Sequence, residues 1–359
     1  MASAIGCDRG GLPGAQMLDC PRKSTNSLQR MPTVTLNTGQ TFTADPTVSI
    51  LDAARNAGVT LEYSCRTGRC GICKAPLLTG ATEVLRTEES LSAEEARNGL
   101  ILTCCRVATN DVALDIEPLD RLAGLEIKTM ASRIVSIERL AHDIVRVVLK
   151  TPPTSPMRFL PGQYIDVIAE GGVRRSYSLA NAPCANGQLE LIIKRYKGGV
   201  LSEYWFERAK ANDLLRIEGP FGTFFLREEG PTNIVFLATG TGIAPVKALL
   251  EELAANPERA AQHRLTVFWG NREAESFCWD PVGLGLDVGV HHLLSGADAN
   301  WSAARGYVHD AAIRQGIDPD DTVVYACGSN AMITSAREAL LALGLPAKRF
   351  FSDAFVSSN

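Results

Sequence analysis

The sequence predicts a multidomain protein of mixed class: an α+β module of the β-grasp type, then an antiparallel β-barrel, then a parallel α/β sheet. Three observations predict it. Short strands surround one helix and a dense cysteine loop over residues 32–120. Six segments alternating apolar and polar residues fill 127–228, and continuous apolar strands alternate with amphipathic helices over 230–359. A chain of 359 residues is long for one domain, which agrees with two or three modules.

The elements follow in order. Residues 1–31 are rich in Gly, Pro, Ser and Arg without any period, and are expected to form a disordered leader, with Met31 a second candidate start. "TVTLN" alternates, Gly39 turns the chain, and "TFTAD" returns. Thr47 is then expected to cap a helix over 48–57, which Gly58 ends. "DVALDIEP" closes the module near Pro118. The next six strands are "SRIVSIERL", "DIVRVVLK", "QYIDVIAE", "RRSYSLAN", "LELIIKRY" and "DLLRIEGP", interrupted by one short helix over 201–209. Many short strands at this spacing predict a closed barrel. Beyond it, "NIVFLA", "LTVFWG" and "TVVYACG" are apolar enough to be buried on both faces, and helices follow the first and third.

Composition narrows the class of function. Hydrophobic residues make up 45% and charged residues 21%, so the chain is globular, and a net charge of −4 gives no general pull toward nucleic acid or anionic lipid. No apolar run approaches the roughly 20 residues of a spanning helix, and the first 30 residues contain no apolar block of a secretory signal. A cytoplasmic monomer that binds neither nucleic acid nor membrane is expected. In such a chain, ten cysteines point to metal or redox chemistry before disulfides. Cys7, Cys20, Cys184 and Cys278 are scattered and read as bystanders.

The loop "SCRTGRCGIC" spaces Cys65, Cys70 and Cys73 as C-x4-C-x2-C, and Cys104 or Cys105 follows some thirty residues later. Zinc motifs usually pair two close doublets. Three cysteines on one loop with a distant fourth are the spacing of a plant-type [2Fe–2S] cluster. Backbone N–H groups must then point inward at the sulfurs, which Gly68 and Gly71 permit by taking positive φ. Arg66 and Arg69 are expected to offset charge at the rim.

Four further segments carry chemistry. "RRSYS" offers Arg175 to neutralise a pyrophosphate, Tyr177 to cover an isoalloxazine face and Ser178 to hydrogen-bond near its N5, although alone it reads equally as a half-solvated strand. "GGVLS" places Gly199 and Ser202 at a helix start, where free N–H groups favour phosphate, and "GPFGTF" is a tight turn at the barrel rim. "GTGIAP", holding Gly240, Thr241 and Gly242, lies between a buried strand and a helix and lets a dinucleotide pyrophosphate approach, without a full G-x-G-x-x-G fingerprint. "ACGSNAM" puts Cys327 at a strand's C-terminal end, where open α/β sheets bind ligands. The bland alternatives are a structural turn and a packed thiol.

In this order the segments resemble the ferredoxin–NADP reductase superfamily from about residue 127 onward. The three-part chain resembles its oxygenase-reductase branch, with a plant-type ferredoxin in front. The resemblance implies FAD in preference to FMN, Cys327 beside the nicotinamide C4, and Asp353 and Phe355 at the flavin's reactive edge and over its ring. In the ferredoxin pattern Leu102, Cys104 and Asp111 fall in register, which favours Cys104 as fourth ligand. From 32 to 356, outside the leader and 271–296, the text closely resembles the reductases that supply electrons for 3-deoxygenation of CDP-hexoses.

The implied function is transfer of hydride from NADH to FAD and of single electrons through the [2Fe–2S] cluster to a partner enzyme. Ser178, Cys327 and Asp353 would serve the hydride step. The partner is a dehydrase of CDP-hexose metabolism or, in the rival reading, a Rieske or di-iron oxygenase. A redox sensor without turnover is a third reading. NADPH remains open, because Arg272 stands where a 2′-phosphate would bind, yet Glu273 and Glu275 flank it and favour NADH.

Overall fold

A computed structural model describes residues 30–227, 232–296 and 304–355. Nearly all of the expected leader, with Cys7 and Cys20, lies outside the described residues. From Met31 onward the chain forms one unit.

The first sheet is ordered Thr41–Thr43, Thr33–Leu36, Val112–Leu114, Lys74–Thr79, Leu100–Leu102. Its first and last long-range partners are parallel, Val34 opposite Val112. The helix Ile50–Asn56 buries Ile50, Leu51, Ala53 and Ala54 in the same core. That helix is shorter than expected and differently capped. Ser49 accepts the Asp52 N–H at 3.1 Å, whereas the Thr47 hydroxyl is occupied by Asp45 at 2.7 Å.

The second sheet is wholly antiparallel: Arg174–Ser178, Tyr164–Ile168, Leu214–Phe221, Lys128–Ala141, Ile144–Lys150, Gln188–Lys194. A bridge from Leu179 to Leu191 joins the two ends of this row and closes the barrel. Alternate residues such as Val147, Leu149, Ile165, Val167 and Ile217 fill the inside. The short helix Val200–Glu203 continues as a π turn through Arg208.

The third sheet is parallel, ordered Ala304–Arg305, Val288–Leu294, Arg264–Asn271, Asn233–Thr239, Thr322–Ser329, Phe350–Phe355. Strand order reverses between Asn233–Thr239 and Thr322–Ser329, so the ligand crevice of such a sheet opens there. The helices Ile243–Ala254 and Asn330–Ala342 follow these two strands. The first core is not closed on itself: Tyr164 and Phe221 of the barrel belong to it. No helix among the described residues is long and apolar enough to cross a membrane.

Candidate cluster loop and hydride site

The cysteine loop turns on three residues of positive φ, Arg66 at +59°, Gly68 at +82° and Gly71 at +76°. These turns aim backbone donors at sulfur. The Cys65 N–H donates to Cys70 Sγ at 3.5 Å and the Thr67 N–H to Cys65 Sγ at 3.4 Å. The thiols associate in twos, Cys65 with Cys70 and Cys73 with Cys104. Among the described residues no group of three or more surrounds a single metal ion. Two pairs suit a cluster of two irons held by four thiolates. The hydrogen bond from Cys70 draws Cys65 down to about 5, that from Cys73 draws Cys104 down to about 7, and their partners rise. One thiol of each pair is thereby favoured as thiolate, and binding of metal would deprotonate its partner as well.

Cys105 adjoins this arrangement at Cys104. Its Sγ is 3.5 Å from Cys104 and donates to the Thr87 carbonyl at 3.6 Å, while burial pushes its thiol upward. Glu88 ties down the segment around Cys104, accepting the Leu102 N–H at 3.2 Å and two bonds from Arg106 at 2.7 and 2.9 Å. Arg66 does not serve as a free rim charge. It pairs with Asp166 at 3.2 Å and lies 4.0 Å above the Phe221 ring, both in the barrel. Arg69 is paired with Glu89 at 3.3 Å.

Ser178, Asp353 and Cys327 meet where the barrel reaches the parallel sheet. Cys327 and Asp353 are register partners on adjacent strands. Asp353 is 4% exposed; burial pushes its carboxyl up to about 6, opposed by hydrogen bonds from Ser64 and Ser178. The Ser64 hydroxyl donates to Asp353 Oδ1 at 2.6 Å. Cys327 is fully buried, and that burial pushes its thiol well up, so it stands in the site as a neutral group.

The remaining expected residues occupy defined positions. Arg175 donates to the Arg174 carbonyl at 2.7 Å and is half-buried. The Tyr177 hydroxyl accepts from Trp205 Nε1 at 3.0 Å, the two rings are edge-on at 6.1 Å, and burial pushes the phenol up to about 12. Gly199 is the N-cap of the short helix. Ser202 Oγ accepts the Tyr196 N–H at 2.6 Å, which leaves its proton for a ligand. Gly240, at φ +55°, has nothing within 4 Å of where a Cβ would stand. Gly242 has a different reason to be glycine: a Cβ there would lie 2.2 Å from the Cys327 carbonyl oxygen. Thr241 is half-buried between them, and Phe355 packs half-buried at the end of its strand. Sequence reasoning missed Ser64, Tyr164, Thr223 and Asp166, which tie the cysteine loop to the barrel and the parallel sheet. Only the position of Ser64 immediately before Cys65 could have drawn attention to it.

Three family models match the chain in succession. They are a 2Fe-2S iron-sulfur cluster binding domain over 34–109, an oxidoreductase FAD-binding domain over 131–226 and an oxidoreductase NAD-binding domain over 236–338. A CDP-6-deoxy-L-threo-D-glycero-4-hexulose-3-dehydrase reductase of Yersinia pestis is 43% identical over 326 residues, covering 89% of this chain and 97% of that protein. The terephthalate 1,2-dioxygenase reductase component 1 of a Comamonas species is 31% identical, covering 88% and 95%. Among solved structures, the Amycolatopsis cytochrome P450 reductase GcoB superposes with a TM-score of 0.72 at 26% identity, covering 91% of this chain and all of that one.

Proposed function

The chain belongs to the family of reductases that join 2Fe-2S, FAD-binding and NAD-binding domains in one polypeptide, and on that premise we propose that it is a CDP-6-deoxy-3,4-glucoseen reductase, the electron donor of a CDP-hexose dehydrase. Its activity is NAD(P)H-dependent electron transfer to a partner enzyme. When bound, FAD takes the two electrons of a hydride together and releases them singly to the [2Fe–2S] cluster.

The residues divide this work in space. Arg175, with the N–H groups after Gly199 and the Ser202 proton, neutralises the FAD pyrophosphate. Tyr177, braced by Trp205, would cover an isoalloxazine face, and Phe355 would lie over the flavin ring. Ser178 and Asp353 hold a proton at the flavin N5, and the carboxyl's rise to about 6 lets it exchange that proton near neutrality. Neutral Cys327 walls the nicotinamide without competing as a nucleophile. The turn at Gly240, Thr241 and Gly242 receives the dinucleotide at the sheet's switch point. Cys65, Cys70, Cys73 and Cys104 hold the cluster. Glu273 and Glu275, exposed just after Arg272, repel a 2′-phosphate and make NADH the preferred donor, which the ratio of kcat/KM for the two nucleotides checks. The chain acts as a cytoplasmic monomer, tested by sedimentation and cell fractionation.

One observation carries the choice of partner: 43% identity to a dehydrase reductase against 31% to a dioxygenase reductase over similar coverage. The test mixes the holoprotein and NADH with a CDP-4-keto-6-deoxyhexose and its dehydrase, and in parallel with terminal oxygenases and their aromatic substrates. Deoxygenated sugar nucleotide in the first mixture supports the reading. Turnover only in the second overturns it.

A further inference from the structure

The peptide that delivers the first cluster cysteine also reaches the hydride site. Tyr63 is locked to the barrel from both sides: its N–H donates to Thr223 Oγ1 at 3.0 Å, and the Thr223 hydroxyl donates to its carbonyl at 2.9 Å. The next carbonyl, that of Ser64, accepts from the Tyr164 hydroxyl at 2.7 Å. From this fixed peptide the Ser64 hydroxyl donates to Asp353 Oδ1 at 2.6 Å across 289 residues of sequence. Ser64, Tyr164, Thr223 and Asp353 are all at most 6% exposed, so water does not compete for these bonds.

We propose that Ser64 is a positioning residue for Asp353, so that the iron–sulfur segment completes the hydride-transfer end of the enzyme as well as carrying electrons away from it. The proposal rests on the reading of Asp353 given above. The buried Asp353 carboxylate, which also accepts from Ser178, is further restrained in its rotamer by the Ser64 hydroxyl. Removal of that hydroxyl frees the carboxylate to rotate away, without altering the surfaces that bind nucleotide.

The test uses the holoprotein with Ser64→Ala, Ser64→Thr, Asp353→Asn and the Ala/Asn double variant. Flavin reduction is followed by stopped flow at saturating NADH, and melting by release of flavin fluorescence. The expected result is a loss of tenfold or more in the Ser64→Ala reduction rate with NADH half-saturation within twofold of the parent. Ser64→Thr should recover most of that rate. In the Asp353→Asn background Ser64→Ala should cost no further rate, and the two melting shifts should be less than additive, because each variant removes the same charge-assisted bond, the Asn amide oxygen being only a neutral acceptor. Should Ser64→Ala disturb the cluster, its effect is measured against Cys70→Ser, with and without Ser64→Ala, since the flavin step precedes the cluster. A parental rate in Ser64→Ala beside a slow Asp353→Asn overturns this inference alone, as do fully additive melting shifts. A parental rate in Asp353→Asn overturns the reading of Asp353 and this inference with it.

Discussion

Gly68 and Gly71 sit in the cysteine loop at nearly the same φ, +82° and +76°, yet their surroundings differ. Alanine at either position incurs about 1–2 kcal/mol for a left-handed backbone. At Gly71 the nearest atoms to a new Cβ are Lys74 Cε at 3.3 Å and Ser90 Oγ at 3.4 Å, both ends of side chains that can move. At Gly68 they are the Thr87 carbonyl oxygen at 2.4 Å and Cys105 Sγ at 2.7 Å. Backbone cannot yield so cheaply, and overpacking of this kind adds roughly 1–3 kcal/mol. Gly68→Ala is therefore expected to be the more damaging by that amount, a gap of roughly 5 °C in melting at about 2–4 °C per kcal/mol. The assay is thermal loss of the visible iron–sulfur absorbance in the two holoproteins. Equal melting temperatures, or a less stable Gly71→Ala, would refute the claim that close approach of Thr87 and Cys105 makes Gly68 necessary.

Further outcomes are expected. Cys104→Ser should abolish the two irons and two labile sulfides per chain, whereas Cys105→Ser should keep the cluster's visible spectrum, and iron analysis decides between them. Arg175→Ala should lose flavin on gel filtration while the iron–sulfur absorbance survives, and the released flavin should have the mass of FAD. Asp353 binds its proton more tightly in the fold, at about 6, than in the unfolded chain, near 3.9. The native state then holds more protons between about pH 4 and 6, so stability from this group falls as pH rises through that window, by at most ~3 kcal/mol. Denaturant melts of the parent and Asp353→Asn should differ least near pH 4, where the carboxyl is as neutral as the amide, and the parent should lose more stability than the variant between pH 4 and 6.

The parts legible in the sequence were those with local signals. Alternation along "DIVRVVLK" and "LELIIKRY" marks barrel strands because one face of each meets the core, and the apolar run "NIVFLA" marks a strand buried on both faces. The cysteine spacing is local as well. The strand Val288–Leu294 was missed because Gly289, His291 and His292 interrupt its apolar run. The helix cap went to Thr47 because nothing local shows that Asp45 occupies its hydroxyl. Nothing local to Gly242 shows the further constraint that a Cβ there would meet the Cys327 carbonyl, 85 residues away in sequence. Ser64 and Tyr164 carried little signal, and Arg66 was expected at the loop's rim without its barrel partner, since the side-chain bonds they donate span about a hundred residues or more. For the same reason the iron–sulfur segment reads from sequence as a separable module, whereas in the fold Tyr164 and Phe221 lie in its core.

The central claim is that electrons run in series from NADH through the flavin to the cluster and only then to the partner. The most direct measurement takes Cys70→Ser holoprotein, confirmed to lack the cluster and retain FAD, and assays two acceptors. The account predicts near-parental reduction of ferricyanide or dichlorophenolindophenol by NADH, because these dyes accept electrons from the flavin, together with complete loss of support for the partner enzyme. A cluster-free variant that still drives its partner at the parental rate would contradict it, and would make the flavin the exit for electrons.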